Sequence, residues 1–143
     1  MHPDASPASL STYNVSDKMP SLSARSIYLF GLTSFIAGIF SLLKPASFAS
    51  AMDFPAVCLP VARGNSMAAI AMGIYYTFAA YQENRGFFVL TVPMRLLTTA
   101  IFWSQGWTTP AIWEGAGAVL TFLALAYDRS ARVARTNTLE KDS

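Results

Sequence analysis

The sequence predicts an all-α fold, a membrane-embedded four-helix bundle, on three observations. Only 13% of the 143 residues are charged and 53% are apolar. A soluble domain carries about 25% charge, so this chain has too little to cover a water-facing surface. Four nearly uncharged runs each approach or reach the roughly 17–25 residues that a helix needs to cross a bilayer. Helices apolar all round must sit in lipid or in a large core, and a chain this short cannot build such a core in water.

The first run, residues 26–43, carries no charge; Arg25 and Lys44 bracket it and Pro45 ends it. The second, residues 61–81, has Arg63 and Asn65 in its first turns. It then turns apolar, with Ala68, Ala69, Ala71 and Gly73 small enough for a close helix contact. The third, residues 86–104, holds Arg95 near its middle and Pro93 just before it, where a kink is expected. The fourth, residues 110–127, opens with Trp113 and Glu114 and continues through Gly115, Ala116, Gly117 and Ala118. The short links 82–85 and 105–109 imply antiparallel neighbours. The longer link, 46–60, contains Pro55, Pro60 and the acid Asp53 and reads as an amphipathic loop, with a segment lying in the interface or capping the bundle mouth as the alternative. The transmembrane domain is therefore set at 25–128. Residues 1–24, rich in Ser, Pro and Asp, read as a disordered tail rather than a secretory signal. Residues 129–143 read as a polar, frayed tail.

Lys18, Arg25, Arg85, Arg129, Arg132, Arg135 and Lys141 fall on one side of such a bundle, and Lys44 and Arg63 on the other. The positive-inside rule then places both termini in the cytoplasm. The endoplasmic reticulum is the expected membrane.

Charges inside apolar helices are costly and need a reason. Arg63 and Glu114 enter from the side opposite the termini, and Arg95 sits near the midplane. Measured along their helices, all three can meet in that opposite half. One carboxylate against two arginines and Asn65 leaves donors in excess, which suits a substrate oxygen better than a closed salt bridge. The bland alternative is a buried Arg95–Glu114 pair that fixes helix register, with Arg63 an interfacial anchor. The candidate catalytic residues are Arg95, Glu114 and Arg63, and the candidate substrate-binding residues are Asn65, Tyr75 and Trp113. Tyr75, Tyr76 and Tyr81 either line this pocket or pack on neighbouring helices. Trp103 and Trp107 suit an interfacial aromatic belt. Thr98 and Thr99 are expected to hydrogen-bond to backbone. The pocket is expected to open away from the cytoplasm.

Other chemistry lacks residues. The net charge is +2, with no basic run interleaved with aromatics, so a nucleic-acid partner is not expected. Cys58 and His2 are single, which leaves no disulfide framework and no metal, haem or iron–sulfur set. No cofactor is expected.

The loop KPASFASAMDFP, the run ARGNSMAAIAMGIYY, the segment PMRLLTTAIFW and the fourth-helix opening WEGAGAVL together resemble the small four-helix membrane proteins of the DoxX-like families. Arg63 and Glu114 match polar positions frequent in relatives. Many such proteins are fungal, and the resemblance implies a role in secondary-metabolite pathways, on terpenoid or polyketide intermediates. Three functions stand open at this point. The first is a cofactor-independent cyclase or isomerase acting on a lipophilic substrate. The second is a non-catalytic accessory or scaffold for other membrane-bound pathway enzymes. The third is a small transporter.

Overall fold

The computed structural model describes residues 20–52 and 55–141. It contains α1 (Leu22–Leu43), α2 (Pro45–Ala51), a short 3-10 turn (Ala56–Cys58), α3 (Leu59–Tyr81), α4 (Arg85–Ser104) and α5 (Thr108–Lys141). Every element among the described residues is helical. Helices α1, α3, α4 and α5 are each long and apolar enough to cross a membrane. Large apolar side chains such as Leu29, Ile36, Leu90, Leu97 and Phe122 stand exposed on their outer faces. In water that surface would be an aggregation hazard; in lipid it is the solvated face. The chain is a multi-pass membrane protein.

Helix α1 is the hub, packing on α3 and on α5, while α4 packs on α5. Small residues dictate the α1–α3 contact. Gly31, Ser34, Gly38 and Ser41 recur every three or four residues along one face of α1 and are buried. Opposite them lie Ser66 and Gly73 of α3. The backbones approach so closely that a Cβ on Gly73 would sit 2.6 Å from the Phe35 Cβ and 2.8 Å from the Gly31 carbonyl oxygen. Two polar contacts cross this seam. The Ser34 hydroxyl donates to the Ala69 carbonyl at 3.0 Å, and the Ser41 and Ser66 hydroxyls meet at 2.7 Å. In lipid, close packing and such hydrogen bonds replace the hydrophobic effect as the force between helices.

The start of α1 is clasped by two acids from distant parts of the chain. Asp128 of α5 accepts from the Ser23 backbone N–H at 2.9 Å, the Ser23 hydroxyl at 2.6 Å and the Leu22 N–H at 3.2 Å. Glu83, in the α3–α4 turn at a φ of 52°, accepts from the Ser21 N–H at 2.7 Å and the Ser21 hydroxyl at 2.6 Å. A helix leaves its first N–H groups unpaired, and these carboxylates satisfy them where the macrodipole also favours negative charge. Asp128→Ala is expected to lower stability by about 1–2 kcal/mol, read as a fall in the thermal midpoint in detergent. An unchanged midpoint would show that the clasp is ornamental.

The four long helices overlap the four expected runs and differ from them at the ends. Helix α1 begins at Leu22, inside the stretch assigned to the tail; residues 1–19 lie outside the described residues. The link between α1 and α3 is more ordered than a loop: Pro45 opens α2, which packs on α3 and α1. Asp53 and Phe54 of that link lie outside the described residues. Beyond Asp128, where a frayed tail was expected, α5 continues to Lys141. The run from Arg129 to Lys141 contains no proline or glycine to stop it. Helices α4 and α5 are close neighbours as their short link implied. Helices α3 and α4, despite theirs, share no extended contact: a turn ties helix ends together, and the glycine and serine faces decide which helices then pair along their length. They meet near the turn through Tyr76 and Phe87, ring centroids 5.1 Å apart.

Candidate functional site

The buried face of α5 runs Ala111, Glu114, Ala118, Thr121, Ala124 and Asp128, the three- and four-residue spacing of one helical stripe. Its small residues leave room for one large side chain from α4. That side chain is Arg95, which is 2% exposed. Pro93 lies inside α4 without ending it. The Thr98 and Thr99 hydroxyls donate to the Met94 and Arg95 carbonyls, at 3.0 and 2.8 Å, as expected of threonines in an apolar helix.

The guanidinium lies in an aromatic and carboxylate cage. Its Cζ sits 3.3 Å from the centroid of the Phe30 ring and 4.9 Å from that of Tyr76. Trp113 also stacks on Phe30, with centroids 4.1 Å apart and an interplanar angle of 24°. Glu114 Oε2 is 4.0 Å from Arg95 Nε, close enough for charge pairing and too long for a hydrogen bond. On the other edge, Nη1 lies 2.6 Å from the point that a Cβ on Gly117 would occupy. The absence of a side chain at 117 therefore gives the guanidinium its place.

Nε, Nη1 and Nη2 of Arg95 are buried and have no hydrogen-bond partner, and neither has the buried Thr121 hydroxyl. Cation–π stacking is worth about 2 kcal/mol where water is excluded, so Phe30 and Tyr76 compensate part of the burial. They do not replace hydrogen bonds, and buried polar groups are almost always hydrogen-bonded. Tyr76 stabilises the guanidinium from one side, but no Arg95 nitrogen makes a hydrogen bond of ordinary geometry, so an arginine held dry beside a carboxylate has room for an acceptor.

The structure brings together Arg95, Glu114 and, through Phe30, Trp113. It places Arg63 and Asn65 elsewhere, on an exposed face of α3, and Tyr75 is 66% exposed. The tyrosine in the cage is its neighbour Tyr76. Phe30 and Gly117 also belong to the site, although nothing in the sequence set Phe30 apart from the other aromatics of its run. Trp103 is exposed and Trp107 packs on Phe102 near the α4–α5 turn. Among the described residues no group of three or more His, Cys, Asp or Glu side chains gathers as a metal set.

Comparison with known proteins adds no relative. No family model matches the chain, and no curated protein or solved structure does either. The functional reading therefore rests on the geometry of the cage.

Two cavities flank α1. One, of about 690 Å3, runs between α1 and α5 and is bordered by Arg25, Leu29, Phe30, Trp113, Gly117 and Tyr127. The other, of about 1000 Å3, lies between α1 and α3 from Pro20 and Glu83 to Phe35 and Gly73. Both lie towards the N-terminal end of α1, whereas the sequence pointed to an opening in the opposite half. The reason is the same in both expectations that moved. Depth along a helix was legible from the sequence, and the direction in which each charge faces was not.

Proposed function

We propose that the protein is a cofactor-independent isomerase or cyclase acting on a lipophilic carbonyl compound inside the membrane, with Arg95 and Glu114 as its catalytic residues. The observation that carries this reading is the buried guanidinium with all three nitrogens unpartnered. Preorganised donors in a dry site stabilise developing negative charge far more than they do in water. Glu114, 4.0 Å from Arg95 Nε, supplies the base. Its carboxylate takes a proton from the carbon beside the substrate carbonyl, the C–H electron pair moves into an enolate, and Arg95 hydrogen-bonds the enolate oxygen. Glu114 then returns the proton to a different carbon. The product has the formula of the substrate, so no oxidant, reductant or second substrate enters. Phe30, Tyr76 and Trp113 wall the reacting part and hold it in one conformation.

The resemblance to DoxX-like proteins supports a place in a fungal secondary-metabolite pathway, with a terpenoid or polyketide intermediate as substrate. Such a pathway favours the endoplasmic reticulum as the membrane, and the charge distribution supports both ends of the chain in the cytoplasm. Arg25, Arg85, Arg129, Arg132 and Arg135 lie at the end of the bundle where Asp128 and Glu83 clasp α1, and Lys44 and Arg63 lie towards the other.

The test uses microsomes carrying the full chain, supplied with the metabolite that accumulates when the gene is deleted. Wild-type microsomes should convert it to an isomer of equal mass with no added cofactor. Arg95→Met at normal expression should lower the rate by about 100-fold or more, the scale seen when a donor to a developing oxyanion is removed. Equal rates in the two would overturn the reading. A second reading, an accessory protein for another membrane enzyme, is favoured by the exposed extension of α5 from Arg129 to Glu140. Co-purification lost on removing that extension, with Arg95→Met leaving pathway output intact, would select it.

A further inference from the structure

The α1–α5 groove and the Arg95 cage are two parts of one arrangement. The groove extends along α1 from Leu22 to Thr33 and along α5 from Trp113 to Tyr127. At about 1.5 Å per residue the α1 wall is roughly 17 Å long, close to half of a hydrocarbon core of about 30 Å. It is thus as long as one leaflet is deep. Its volume of about 690 Å3 falls within the roughly 300–1,000 Å3 typical of small-molecule sites. Between its ends the wall is apolar, with Leu29, Leu120 and Leu123 among its residues.

The two ends differ in chemistry. Near the start of α1 stands Arg25, the one charged residue in the groove wall among the described residues. The deep end is closed by Phe30, Trp113 and Gly117, and directly behind Phe30 and Gly117 lies the unpartnered Arg95. Nη1 is nearest the Gly117 backbone, on the groove side, while Nε is turned to Glu114. Gly117 bears no side chain, so the ring of Phe30 is the chief barrier between the groove and the open donors.

We propose that this groove takes a single-chain amphiphile from the surrounding leaflet, with its acidic head at Arg25, its hydrocarbon along α1 and α5, and an oxygen at the far end of the chain hydrogen-bonded by Arg95. This rests on the reading of Arg95 as a ligand-binding group and adds the substrate class and the lateral route. The charges argue for this orientation over its reverse. A carboxylate at the bilayer surface keeps its solvation, whereas one at the midplane would be expensive. A neutral hydroxyl or carbonyl at the far end carries no such penalty, and hydrogen bonds to a charged donor are among the stronger ones. To reach Arg95 from the groove, the ligand must displace the Phe30 ring, whose centroid lies 3.3 Å from the guanidinium Cζ and 4.1 Å from that of Trp113.

The experiment compares two probes, hexadecanoic acid and its ω-hydroxy derivative, bound to the full chain in nanodiscs of neutral phosphatidylcholine. The ω-hydroxy acid should bind about tenfold more tightly, the worth of one hydrogen bond to a charged group. Arg95→Met should bring that ratio close to one while leaving hexadecanoic acid bound, and Arg25→Gln should weaken both acids alike. Gly117→Ala serves as the second variant: it keeps every charge and adds one methyl group 2.6 Å from Nη1. It too should collapse the ratio, with its thermal midpoint recorded to show that the bundle is intact. A ratio of one in the wild type, a ratio unchanged by Arg95→Met, or saturable binding of neither probe would overturn the proposal. The isomerase reading is tested on the accumulated metabolite and not on these probes, so the two failures are separable.

Discussion

Glu114→Ala is expected to be the most damaging single substitution in the bundle, costing about 3–5 kcal/mol. It removes the carboxylate 4.0 Å from Arg95 Nε and leaves the guanidinium, 2% exposed, with no counter-charge. Arginine has no neutral form to retreat to. A charge stranded near the middle of a membrane helix costs about 2.5–3.5 kcal/mol even on the mildest insertion scale. Replacing both partners, Arg95→Met with Glu114→Leu, should recover most of the loss, because an apolar pair of similar volume needs no desolvation. The measurement is reversible unfolding in mixed micelles for the two single variants and the double variant. If Glu114→Ala is as stable as the wild type, the pair contributes nothing to the fold. If the double variant folds well and catalysis is absent, the charges are retained for chemistry and not for stability. That contrast separates the catalytic reading from the register-fixing ion pair that the sequence left as an alternative.

Gly73→Ala is expected to cost about 1–3 kcal/mol, the scale of overpacking in a tight contact. The added methyl would fall 2.6 Å from the Phe35 Cβ and 2.8 Å from both the Phe35 Cα and the Gly31 carbonyl oxygen. Two of those three atoms are backbone, so the strain is relieved only by moving α1 away from α3. Separation would also stretch the Ser34–Ala69 and Ser41–Ser66 hydrogen bonds. The control lies on the same helix. A Cβ on Gly64 would meet nothing within 4 Å, and Gly64→Ala should leave stability equal or raise it by about 0.5–1 kcal/mol through helix propensity. Equal stability for the Gly73 and Gly64 variants would mean that the α1–α3 seam is slack.

What the sequence made legible was whatever depends on composition along one helix. The spans 86–104 and 61–81 lie within one or two residues of α4 (Arg85–Ser104) and α3 (Leu59–Tyr81), because a run too apolar for water must become a membrane helix. Arg95 and Glu114 were legible as a pair because charges are rare in such runs and their depths match. Facing is a different matter. Successive residues on a helix point about 100° apart, so Tyr75 is exposed while Tyr76 reaches the cage, and Arg63 faces outwards although its neighbour Ala62 is buried. No pattern in α3 distinguished these, because its apolar residues cover all sides. Phe30 was hidden for the same reason. Glu83 gave no sign of its role: one acid in a turn is ordinary until the turn is seen against Ser21. The helical extension to Lys141 was misjudged because polarity was read as fraying, although Arg129 to Lys141 is made largely of residues that tolerate a helix.

The clasp on α1 has a consequence for how the protein is made. Ser21 and Ser23 are synthesised before their acceptors, Glu83 and Asp128. The leading end of the first span is secured in two stages, once when the third span begins and again only when the fourth has passed through. A nascent chain arrested before Asp128 holds its first helix by the α3 seam and one acid alone. The contact between Asp128 and Ser23 thus forms only in a chain in which α5 has already joined α1.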